Sequence, residues 1–205
     1  MARRFFDPQN SLWHWIGKVP ELFCLSFFWL ILCVPVITVV PATVALYDAI
    51  VRKLRPDEKG LFRRFFVTFW KELGRGILMS LLWLVVFAFL GYCHWLLKSR
   101  AEESQTMAVL SLVYQITLLI PVAVFFWAVA LESRFYYSFW QLHKNALLFA
   151  LSYLPRSALV LLIALAAAFG CWYFPGFLLI LPAIIMTLQS IPLDHVMVSL
   201  MPEET

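Results

Sequence analysis

The stretch Arg64-Phe65-Phe66-Val67-Thr68-Phe69-Trp70 decides how this chain is read. It returns seventy positions later as Arg134-Phe135-Tyr136-Tyr137-Ser138-Phe139-Trp140. Arg, Phe, Phe and Trp recur at 64/134, 65/135, 69/139 and 70/140, while Phe66/Tyr136 and Thr68/Ser138 keep shape and polarity. Each copy leads into one long apolar run and then another, the mark of an internal repeat in a membrane protein. In the first copy Arg64, Thr68, Lys71 and Arg75 fall at i, i+4, i+7 and i+11, with Phe62, Phe65, Phe66, Phe69 and Trp70 opposite. Arg134, Ser138, Gln141 and Asn145 repeat the spacing. Both copies are therefore expected to form interfacial amphipathic helices, apolar side at headgroup depth and polar stripe in water.

The surrounding composition agrees. Of 205 residues, 63% are hydrophobic and 14% charged, with a mean hydropathy of +0.85; soluble domains carry about 25% charge. The apolar runs approach the roughly 20 residues that a helix needs to cross a bilayer. They lack the apolar/polar alternation of a membrane β-barrel. The expected fold is all-α, a polytopic membrane bundle of about five transmembrane helices with two amphipathic helices. Spans are read at 21–40, 77–97, 107–131, 157–174 and 176–193. A broken helix (1–56) precedes a first repeat (57–133) and a second (134–205) in one membrane domain, the repeats being parallel.

Residues 22–51 are awkward: too long for one straight span, too short for two. Pro35 and Pro41 interrupt them. One kinked crossing is expected; a hairpin that re-enters is the alternative. With one crossing, eleven Lys and Arg lie on one side and five on the other; with the hairpin, fourteen and two. Either way the loops 52–75 and 132–156 are the basic, cytoplasmic ones of a multi-pass protein in the cell membrane.

The +4 net charge flanks apolar runs, so it speaks for lipid headgroups and against nucleic acid. Cys24, Cys33, Cys93 and Cys171 have no CxxC spacing, and the chain lacks HExxH, GxSxG and a glycine-rich phosphate loop. No enzyme, cofactor or metal is expected. Asp48 stands out as an acid late in an apolar run, with Arg52 at i+4 for an ion pair. The other candidate binding residues are Arg64, Lys71, Arg75, Arg134, Lys144 and Asn145. Glu132 is expected to pair locally with Arg134. Gln115, Thr117, Thr187 and Gln189 suit interhelical hydrogen bonds. Pro121 and Pro182, in later spans of the two halves, point softly to a midplane site. His94 and the Asp194-His195 pair read as polar residues at span ends.

The order of features resembles the YesL family of bacterial integral membrane proteins over nearly the whole chain. Leu-Cys-Val-Pro-Val-Ile-Thr (32–38) leads to Pro-Ala-Thr-Val-Ala-Leu-Tyr (41–47). Val-Arg-Lys-Leu-Arg (51–55) precedes Phe-Phe-Val-Thr-Phe-Trp-Lys (65–71), and Lys-Asn-Ala-Leu (144–147) and Leu-Pro-Arg-Ser (154–157) follow. The resemblance implies no established activity and no catalytic residues. Members' genes often neighbour carbohydrate uptake and degradation genes in Gram-positive bacteria, which implies an accessory or scaffold role beside other membrane transport components. A small carrier or channel with a pathway between the repeats is the alternative.

Overall fold

A computed structural model describes residues 11–53, 60–100, 104–179 and 181–200. Every regular element among them is helical: α1 (Ser11–Cys33), α2 (Val39–Lys53), α3 (Leu61–Ser99), α4 (Gln105–Thr117), α5 (Leu119–Arg134), α6 (Phe139–Ser152), α7 (Leu154–Tyr173) and α8 (Leu181–Leu200), with short 3-10 turns at Val36–Thr38 and Pro175–Leu179.

The awkward segment folds back. Trp29 Nε1 donates to Thr43 Oγ1 at 3.3 Å, although fourteen residues of continuous helix would hold them about 21 Å apart. Residues 22–51 are thus an antiparallel α1–α2 hairpin and not one kinked helix. Pro35 opens the turn, and Thr38 closes it by donating to the carbonyls of Leu32 and Pro35. α2 becomes the hub: residues 40–51 are buried without exception, and α1, α3, α5 and α8 pack around it.

Helix starts inside an apolar bundle leave N–H groups that must find partners. Two buried serines supply them across helix boundaries. Ser80 of α3 accepts from Val40 N at the start of α2 (3.1 Å). Ser26 of α1 accepts from Ala183 N at the start of α8 (3.1 Å). Close packing completes the α2–α3 seam, where a Cβ on Gly76 would come within 2.7 Å of Pro41 Cβ.

Among the described residues, three helical stretches are long and apolar enough to span a membrane: 61–99, the nearly continuous α4–α5 at 105–134, and 154–173. Only 17–22% of their most apolar windows is buried within the protein. Rows such as Leu81, Val85 and Phe89, or Leu162, Leu165 and Phe169, face outward. Hydrocarbon is the solvent that tolerates so much outward apolar surface. The apolar stretches 20–33, 36–51 and 181–193 are shorter.

The two motif copies differ in local structure. The first lies inside a 39-residue helix that runs on into the long apolar stretch. Its Phe65 and Phe69 are buried in the bundle, and Phe66 packs edge-on to Phe28 of α1. A separate interfacial helix is therefore not formed there. In the second, α5 ends at Arg134, residues 135–138 are non-helical, and α6 begins at Phe139. The cause is Ser138-x-x-Gln141, a helix-start signature: Ser138 N donates to Gln141 Oε1 at 3.4 Å. Arg134 consequently leaves the expected stripe with Gln141 and Asn145. What the copies share is the edge-on pair Phe69–Trp70 or Phe139–Trp140, its tryptophan exposed.

Candidate functional site

The buried hub brings an acid to its end. Asp48 lies on α2 with its side chain 6% exposed, 3.1 Å from Arg64 Nε, and it accepts from Thr68 Oγ1 at 2.9 Å. Arg64 and Thr68 are one helical turn apart on α3, so one carboxylate clasps two rungs of the stripe. The described partner of Asp48 is thus on another helix. The side chain of Arg52, the expected local partner, lies outside the described residues.

Further along the same stripe, Lys71 lies over the Tyr136 ring, 4.6 Å from its centroid, and donates to the Tyr136 hydroxyl. Arg75 donates to the Tyr137 carbonyl and places Nε 2.9 Å from Glu132 Oε1. The second motif therefore touches the first directly: the non-helical 135–138 segment crosses the polar stripe of α3. Glu132 pairs with this distant arginine rather than with Arg134 beside it.

Between these elements is a pocket of about 480 Å³ at the basic end of the bundle. α2 contributes Asp48; α3 contributes Arg63, Arg64, Lys71 and Glu72; the end of α5 contributes Glu132 and Arg134, and Tyr136 follows. Toward the apolar end the seam is filled by Ala45, Phe65, Phe69, Ala128 and Leu131, each at most 4% exposed.

Glu132 is the unusual group. Its side chain is 2% exposed, and neither carboxylate oxygen makes a hydrogen bond, the approach of Arg75 having the distance of an ion pair without its alignment. A buried carboxylate with unused acceptors is costly. Arg75 supplies an opposite charge beside it, and Glu132 is among the residues that line the pocket.

Of the candidates read from sequence, the structure brings Asp48, Arg64, Lys71 and Arg134 to the pocket and puts Arg75 behind Glu132. Lys144 and Asn145 are on α6 and do not line it. Pro121 and Pro182 stand in the first turns of α5 and α8, where a missing N–H is harmless. Pro121 follows the turn at Leu118, near the middle of the 105–134 stretch, whereas Pro182 marks the start of α8. Gln189 donates to the Val160 carbonyl of α7 at 3.2 Å, the interhelical bond expected of it. Thr117 and Thr187 instead bond back into their own helices, and Gln115 is exposed. His94 stacks on Tyr114; the side chains of Asp194 and His195 lie outside the described residues.

Residues 22–92 match the family described as protein of unknown function, DUF624. This match, over about a third of the chain, is consistent with the resemblance to the YesL family, which is the DUF624 family. The segment carries the α1–α2 hairpin, Asp48 and the whole polar stripe of α3, so the matched residues build one wall of the pocket; Glu132 and Tyr136 lie beyond it. No curated protein and no solved structure matches the chain.

Proposed function

We propose that this chain is a non-catalytic, multi-pass protein of the cell membrane that binds a small polar ligand at its cytoplasmic face, as an accessory to carbohydrate uptake. The observation that carries the binding reading is the charged pocket where the three elements meet. Its volume falls within the range of small-molecule sites. Two of its three acids have a base beside them, Asp48 with Arg64 and Glu132 with Arg75, which suits holding a ligand more than activating a nucleophile. The uptake connection rests on the family resemblance alone.

The fold-back of α1 on α2 supports a topology in which α3, α4–α5, α7 and α8 cross and the hairpin re-enters. The basic side then holds fourteen Lys and Arg against two, a clear positive-inside bias. A parallel repeat of two crossings each agrees with that order, its second copy kinked near Leu154-Pro155 where α6 gives way to α7.

A small carrier is the second reading, and one observation favours it: the pocket is charged and open at one end, as one state of a carrier is. Reconstitution separates the two. Purified protein in liposomes is tested for binding and counterflow of labelled sugars and sugar phosphates. The accessory reading expects binding without counterflow. Counterflow that Lys71→Ala abolishes supports the carrier, and a chain that binds none of the solutes overturns both.

A further inference from the structure

The polar groups in the pocket discriminate among ligands. Four basic and three acidic side chains line it, and Arg75 adds a fifth base behind Glu132. The balance favours an anion. A bare anion, however, would leave the Glu132 oxygens without a donor and face their charge. A ligand ammonium could serve those oxygens, yet it would stand beside Arg75, 2.9 Å from the same carboxylate, and like charges so close are repulsive. The donor that meets both demands is a neutral hydroxyl. The anionic part has its own place. Lys71 is four residues before Arg75 on α3, about 6 Å along the helix axis, and its exposed ammonium is at the pocket wall near Tyr136 with Arg134 on the facing segment.

We infer that the pocket receives the phosphate ester of a polyol, its hydroxyls donating to Glu132 and its phosphate held by Lys71 and Arg134. This rests on the ligand-binding reading above and names its ligand class. A free polyol phosphate carries that chemistry, and so does the glycerol-phosphate headgroup of an anionic lipid at the membrane surface. Basic side chains at the headgroup level of a membrane helix suit the second source as well as the first.

The test titrates the full chain in detergent with sn-glycerol 3-phosphate, inorganic phosphate and glycerol. It also compares melting temperatures in phosphatidylglycerol and phosphatidylcholine nanodiscs. For a free ligand, glycerol 3-phosphate binds at least about tenfold more tightly than inorganic phosphate, as one hydrogen bond to a charged group requires. Glu132→Gln removes that advantage and keeps phosphate binding; Lys71→Ala weakens both. For a lipid headgroup, phosphatidylglycerol raises the melting temperature above phosphatidylcholine, and each substitution removes the increment. Lys71 is exposed, so Lys71→Ala preserves the test should Glu132→Gln fail to fold. Absence of both preferences, or their persistence in Lys71→Ala, overturns the inference. If another solute class binds in a Lys71-dependent way, the ligand class is wrong and the binding reading stands; if no solute binds and phosphatidylglycerol gives no increment, both fail.

Discussion

Asp48 shows what one side chain decides. Its carboxylate joins α2 to two turns of α3, and Asp48→Asn weakens the hold on Arg64 while keeping the volume. Hydrogen bonds to charged groups contribute about 1.5–3 kcal/mol, and the 35% exposure of the Arg64 side chain places the loss near the lower end. Thermal unfolding in detergent should show a lower midpoint with unchanged helicity; an unchanged midpoint means the clasp carries no stability. That Asp48 matters was legible in sequence, since an acid in an apolar run invites a partner. Which partner was not: Arg64 follows sixteen residues later on another helix, where helical spacing from Asp48 no longer applies. Glu132 was harder still, because Arg75 lies 57 positions before it. The one available signal was its place as the first charge after the apolar run 107–131.

At the scale of elements, the hub helix depends on close approach and on borrowed caps. Gly76→Ala puts a Cβ 2.7 Å from Pro41, and overpacking of this kind costs about 1–3 kcal/mol. Gly74→Ala, with open space around it, should be neutral or stabilising by up to about 1 kcal/mol through helix propensity. Equal effects of the two in the same unfolding assay contradict the α2–α3 seam. Ser80→Ala removes the acceptor for Val40 N–H and should cost about 1–2 kcal/mol, as lost caps do, whereas Ser80→Thr retains it. The helices themselves were readable from apolar run length. The α1–α2 hairpin was not, because hydropathy is identical whether residues 22–51 continue or fold back; Pro35 and Thr38 marked the turn without fixing its angle. The break at 135–138 was written in Ser138-x-x-Gln141, but the aromatic likeness of the two motifs outweighs that signature when they are aligned.

For the whole molecule, a buried helix collects its neighbours into a bundle whose outer surface is apolar along three long stretches and whose basic end carries a pocket. The two motif copies meet there through Lys71–Tyr136 and Arg75–Tyr137, so the second copy serves as the opposite wall to the first. Composition foretold the bilayer. The pocket was hidden, since it is made by contact between segments distant in sequence. The proposed function requires this pocket to be aqueous and to open to the cytoplasm. Val67 lines it and is exposed, so the direct measurement is thiol labelling of Val67→Cys, with Cys24, Cys33, Cys93 and Cys171 replaced by serine. A membrane-impermeant maleimide should label this position in inside-out vesicles and leave it unmodified in intact cells. Labelling in intact cells, or in neither preparation while a permeant maleimide reacts, would contradict the account.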